Sequence, residues 1–200
     1  MNKILKRILQ IAGVGFLLYV GYFIYLILTF SLYDDGKFYS KQDLIDNYNQ
    51  KSKEIDDLKN YINEIVPANK IVDIEIDGNK RFFNFHLIDD GNYDSNWDLK
   101  LDSKKTDTLL TKLNWTKETL KTLKEKLDVA NCISIKNGQP CNIGFQRSGM
   151  GKYYYNIFDN PIPDSLKSKY NDSCTYIFYT NKVILEYGGG AVGPQCFPTK

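Results

Sequence analysis

Residues 71–87 read IVDIEIDGNKRFFNFHL. Val72, Ile74 and Ile76 alternate with Asp73, Glu75 and Asp77, and Phe83, Phe85 and Leu87 resume the same period after Asp77-Gly78-Asn79. A period of two sends successive side chains to opposite faces, and Asp-Gly-Asn tolerates a tight turn, so the stretch predicts a β-hairpin with one apolar face. Trp97, Leu99 and Leu101 follow the Asp90-Gly91 turn as a third strand, completing a meander over residues 69–102.

The pattern changes downstream. Residues 103–113 and 116–130 read as two helices, the second capped by Thr116 and presenting Leu120, Leu123 and Leu127 on one face. Their lysines are interspersed with Asp107, Glu118 and Glu125 and read as a solvated surface. Strands follow at residues 132–135, 141–147 and 152–158, joined by an Asn137-Gly138 turn and a Ser148-Gly149-Met150-Gly151 tip. A short helix at residues 164–170 and a hairpin pairing residues 174–179 with 183–187 end the chain. Strands joined by short turns on either side of a helical pair define an α+β fold with an antiparallel sheet in residues 67–200.

Upstream, residues 8–32 carry no charge, and fifteen of them are Leu, Ile, Val or Phe. A helix of that length rises about 37 Å, enough for a hydrocarbon core of ~30 Å, so a transmembrane helix is expected. No good small-x-small cleavage site ends the run, which favours an uncleaved signal-anchor. Lys3, Lys6 and Arg7 leave residues 1–7 as a cytoplasmic tail, making the chain a single-pass protein of the cell membrane with its C-terminal domain extracytoplasmic and the lipid bilayer as a partner. Those three cations also explain the net charge of +2, because the remaining residues carry 23 basic against 24 acidic side chains. So neutral a domain argues against a nucleic-acid partner.

Between anchor and hairpin, residues 40–66 predict a helix starting at Ser40 and stopping before Pro67. Leu44, Tyr48, Lys51, Ile55, Leu58, Ile62 and Ile65 recur at heptad spacing. The stripe fits either a helix lying on its own domain or a short stalk forming a parallel homodimer, with Lys51 weakening the seam.

Chemical motifs are sparse. Gly188–Gly193 matches the dinucleotide glycine pattern, but Pro194 stands where the phosphate-binding helix should begin. Gly151-Lys152 lacks the first glycine of a phosphate loop, and Tyr153 replaces its Ser or Thr. His86 is the only histidine, and no C-x-x-C pair occurs, so neither a metal nor a cofactor is expected. The four cysteines suit disulfides in an oxidising compartment: Cys174–Cys196, tying the tail to the last hairpin, and Cys132–Cys141, a strained pair across the Asn137-Gly138 turn.

Two functional expectations follow. The first is a non-catalytic module that binds a protein or surface ligand at the hairpin tip through Arg147, Lys152 and Tyr153, backed by the tyrosines of the second strand group. The alternative is a membrane-bound hydrolase or transferase in which the fold brings together His86, Arg147 and Glu186.

Overall fold

A computed structural model describes residues 3–32, 37–78, 80–189 and 193–198, with the side chains of residues 12–26 in the first segment. The chain divides into two compact units, Met1–Lys37 and Phe38–Lys200.

The first unit is helix α1 (Lys3–Leu32). The transmembrane helix expected over residues 8–32 is corrected here: among the described residues no helix is long and apolar enough to cross a membrane. The connection at residues 33–36, the turn residue Asn79 and residues 190–192 of the glycine run lie outside the described residues.

The second unit opens with α2 (Lys41–Ile65), whose start is fixed by a capping box. The Ser40 side chain accepts from the Asp43 N–H, and the Asp43 carboxylate accepts from the Ser40 N–H at 2.6 Å. Strands β1 (Lys70–Asp77), β2 (Arg81–Asp89), β3 (Asn92–Asp94) and β4 (Trp97–Lys100) lead to helices α3 (Lys104–Leu113) and α4 (Lys117–Val129). Then come β5 (Ser134–Lys136), β6 (Cys141–Ser148), β7 (Gly151–Ile157), α5 (Asp164–Lys167), β8 (Tyr176–Thr180) and β9 (Val183–Gly188). The nine strands among the described residues form one sheet in the order β3-β2-β1-β5-β6-β7-β9-β8, with β4 also pairing β2. Every pairing is antiparallel.

Helices α2, α3 and α4 cover one face. Leu44, Ile55, Leu58 and Ile62 of α2 are fully buried and share a core with Leu109, Leu123, Ile74, Phe85, Ile143, Tyr155 and Leu185. This corrects the helical stalk: Leu44, Ile55, Leu58 and Ile62 of the heptad stripe are spent on the helix's own sheet, the arrangement of a helix lying on its own domain. Burying an apolar side chain contributes roughly 1.5–3 kcal/mol, a gain the domain supplies without a second chain. Trp115 Nε1 donates to the Ile65 carbonyl at 2.8 Å and fastens the end of α2 to the α3–α4 corner.

Two register details depart from the expected hairpins. The Asn137-Gly138 turn would pair Ser134 with Cys141, yet Ser134 pairs with Gly144. Asn137 is occupied elsewhere: its Oδ1 accepts from the Val72 N–H at 2.7 Å and its Nδ2 donates to the Lys70 carbonyl at 3.1 Å, docking the loop on β1. The shift overturns the Cys132–Cys141 pairing. In this register Cys132 falls about five residues, or ~17 Å, along the ladder from Cys141, and both thiols are free and buried. Burial raises both pKa values, that of Cys141 to about 12, so neither is a reactive thiolate at neutral pH. Cys174 and Cys196 are joined, with Cα atoms 4.1 Å apart.

The second detail is a bulge in the first hairpin. Glu75 pairs with Asn84 but Ile76 pairs with Phe82, leaving Phe83 as the extra residue. Phe82 and Phe85 therefore face the core, and Phe83 is turned to the opposite face, 37% exposed.

Candidate functional site

The face of the sheet away from α2, α3 and α4 carries the polar chemistry. Asn84, Glu75, Ser134, Gly144, Tyr154, Glu186 and Tyr176 lie in one cross-strand row, and His86, Asp73, Lys136, Asn142 and Asn156 in the next.

Glu75 is the hub. Arg147 meets it as a fork, Nε to Oε1 and Nη2 to Oε2, the latter at 2.8 Å. Lys152 Nζ donates to Glu75 Oε2 and to Ser134 Oγ, each at 2.9 Å. Lys152 starts on β7 and its ammonium reaches β5 and β1, so its stem must cross β6. Gly144 makes that crossing open: a Cβ there would stand 3.2 Å from Lys152 Cδ and 2.0 Å from Ser134 Oγ. Burial alone would raise the Glu75 carboxyl, but the hydrogen bonds and charges of Arg147 and Lys152 outweigh it and hold the group below the ordinary carboxylate range.

Arg147 also stacks over the Phe83 ring, its guanidinium carbon 3.9 Å from the centroid. From Phe83 the rings continue: Phe83 to Trp97 at 5.7 Å, Trp97 to His86 at 4.7 Å, His86 to Tyr93 at 5.6 Å. Trp97 is 59% and Tyr93 62% exposed, whereas His86 beneath them is buried.

His86 serves the edge of the sheet. Strands β3 and β4 lie end to end along β2, and at the Ser95-Asn96 break the Asn96 N–H has no ladder partner. It donates to His86 Nδ1 at 3.2 Å, and Ser95 Oγ lies at the same distance. An accepting Nδ1 means a neutral ring with its proton on Nε2. Burial lowers the His86 pKa, and the charges of Lys152 and Lys136 act in the same sense against the opposing pull of Asp73. A histidine with a folded-state pKa below its unfolded value binds fewer protons folded than unfolded. Stability then falls as pH drops through about 6.5 toward the folded value and is restored above it. Urea midpoints of the wild type should fall between pH 7 and pH 5 more steeply than those of a His86→Gln variant; equal slopes would refute this role for His86.

Glu186 lies far from that group. Between β2 and β9 stand β1, β5, β6 and β7, so five strand spacings, about 24 Å along the sheet, separate His86 from Glu186. Asn156 Nδ2 donates to Glu186 Oε2 at 2.7 Å. Burial raises the Glu186 pKa, opposed by the hydrogen bonds of Asn156 and Tyr176. Tyr170 packs between Phe158 and Tyr176, and Lys167 lies over Phe178, so the residues around α5 cover this end of the outer face. The expected convergence of His86, Arg147 and Glu186 does not occur; Phe83 and Trp97 stand between Arg147 and His86.

The tip site expected at Arg147, Lys152 and Tyr153 is also rearranged. Arg147 and Lys152 pair across the β6–β7 hairpin, but Lys152 is buried on Glu75. Tyr153 points to the other face, fully buried, stacked on Tyr187 at 4.1 Å and accepting from the Tyr39 N–H at 3.2 Å. Of the three, Arg147 alone borders an exposed surface. The sequence does not reveal that surface, because Phe83 carries the parity of a core residue and the bulge turns it outward.

Both sheet margins are closed. On β8 the Tyr176 and Phe178 N–H groups donate to Asp172 Oδ1 at 2.8 Å and Asn171 Oδ1 at 3.4 Å. At the opposite margin β3 and β4 are three and four residues long and interrupted. Both devices hinder the addition of a foreign strand. Among the described residues no group of three or more His, Cys, Asp or Glu side chains is placed to hold a metal ion.

Fold and site together define a class: an α+β domain with helices on one face of an antiparallel sheet and an ion-pair hub flanked by exposed aromatic rings on the other. No protein-family model, curated protein or solved structure matches the chain.

Proposed function

We propose that the domain is a non-catalytic binding module whose partner, a second protein, lies on the outer face across Arg147, Phe83, Trp97 and Tyr93. One observation carries the reading: three aromatic side chains, 37%, 59% and 62% exposed, lie in one contiguous patch on a strand scaffold. Exposed Trp, Tyr and Arg supply large contact area at low entropic cost and are the residue types that dominate interface energetics. The ion pairs beneath hold Arg147 and Phe83 in place before any partner arrives, which lowers the cost of ordering them. The closed margins favour the face over an edge. The Cys174–Cys196 bond supports an oxidising compartment for the domain.

The patch is tested by replacing Trp97, which is exposed and packs outside the core. Trp97→Ala should weaken the partner complex by at least tenfold, as expected for an interface anchor, while leaving the far-ultraviolet circular dichroism and urea midpoint near those of the wild type. Unchanged affinity in a folded Trp97→Ala variant would refute the reading.

A further inference from the structure

Beyond β9 the chain folds back on itself. Gly188 and Gly189, at φ values of 143° and 89° that L side chains rarely adopt, make the turn. Residues 193–198 then lie against the strands they follow. Gly189 N–H donates to the Gly193 carbonyl at 2.9 Å, Gln195 N–H to the Tyr187 carbonyl at 3.2 Å and Phe197 N–H to the Cys174 carbonyl at 2.9 Å. Pro194 and Pro198 have no N–H to add to a ladder. Phe197 is buried, its ring 5.8 Å from Tyr153 and 6.0 Å from Tyr187, the two rings that stack on each other. The returning tail thus carries a plug, and the Cys174–Cys196 bond is the covalent tie that keeps it seated.

The placement of that bond suits opening. Cys196 is exposed and Cys174 half-buried, so a thiolate has an approach to the Cys196 sulfur, whereas the Cys132 and Cys141 thiols are buried. The strands beneath have their own ties. Tyr153 and Tyr187 are partners in the β7–β9 ladder. The start of β8 is fixed by Asp172, whose Oδ1 accepts from the Cys174 N–H at 2.9 Å and the Tyr176 N–H at 2.8 Å. Hinge, latch and plug are therefore separable from the sheet they close.

We propose that Cys174–Cys196 is a redox latch: a dithiol reductant opens it, the tail swings out on Gly188 and Gly189, and the Tyr153–Tyr187 stack is uncovered on an otherwise intact domain. One thiolate of the reductant attacks Cys196 Sγ and expels Cys174 as a thiolate; the second thiolate resolves the mixed disulfide and releases Cys196. Two electrons pass to the cystine, the dithiol ends as a disulfide, and the two protons it loses pass through solvent to the cysteines. The latch sits at the sheet margin opposite Trp97 and does not depend on the aromatic patch.

Amide hydrogen exchange of the full chain, oxidised and after dithiothreitol, provides the test. Reduction should speed exchange at Gln195 and Phe197 about tenfold or more, leave Tyr155 and Leu185 as protected as before, and be reversed by reoxidation. A Cys174→Ser/Cys196→Ser variant should exchange like the reduced protein without any reductant. A bond that dithiothreitol does not reduce in the folded protein, unchanged exchange at Phe197 once both thiols are free, equal loss of protection at Tyr155 and Leu185, or a double variant that does not fold would each overturn the proposal.

Discussion

A Glu75→Gln variant should be less stable than the wild type by about 3–5 kcal/mol, read as a lower urea midpoint at pH 7 with an unchanged denaturant slope. Glu75 is 3% exposed and balances two cations, one of which, Lys152, is itself 6% exposed. Taking both members of a buried pair out of water is costly, and removing one leaves the other without compensation. The guanidinium of Arg147 can turn toward solvent; the Lys152 ammonium, whose stem is enclosed over Gly144, cannot. Adding Lys152→Met to Glu75→Gln should therefore recover much of the loss. A double variant no more stable than Glu75→Gln would show that the ion pair is not what the hub contributes. The same pairing predicts acid sensitivity: with its folded pKa depressed, Glu75 contributes stability above its unfolded value near 4.5 that is lost as pH falls through the folded value.

Gly144→Ala should cost about 2–4 kcal/mol although it adds only a methyl group. The new Cβ would stand 2.0 Å from Ser134 Oγ and 3.2 Å from Lys152 Cδ, so Ser134 must leave its rotamer or Lys152 must abandon its path. Either movement breaks the Lys152–Ser134 hydrogen bond and loosens the hold on Glu75. In a Gly144→Ala/Ser134→Ala double variant the closest clash is gone and one hydrogen bond is missing, so it should be more stable than Gly144→Ala alone. A single variant within 0.5 kcal/mol of the wild type would show that β6 can move aside, contrary to the packing described.

Strands, helices and caps were legible in the sequence because each rests on local signals: the alternation from Val72 to Ile76, the Ser40 and Thr116 caps, the leucines of α4. What local signals lacked was the joining of elements distant in sequence. The pairing of β1 with β5, which fuses two strand groups into one sheet, depends on Asn137 reaching Val72 and Lys70, and nothing in the spacing of those residues announces it. The heptad stripe of α2 marks an apolar face, but periodicity alone does not say whether a sheet or a second helix covers it.

The candidate site was legible in its parts and not in its arrangement. His86, Arg147, Lys152 and Glu186 stand out in the sequence by their chemistry, and all four lie on the polar face of the sheet. Glu75, the hub for Arg147 and Lys152 alone, has the sequence pattern of an ordinary solvent-facing residue of an alternating strand. Its role comes from Lys152 crossing β6 over Gly144, a contact 77 residues away in sequence. Phe83 shows the same limit in reverse, since one bulge converts a core-parity phenylalanine into surface.

The outer face around Trp97 is the surface proposed to meet the partner. Placing a photo-crosslinking benzophenone side chain at position 97, and as a control at position 125 on the exposed side of α4, tests it directly. A single predominant adduct from position 97, competed away by unlabelled wild-type domain and absent from position 125, is the predicted result. Adducts from position 125 with none from position 97 would contradict the account.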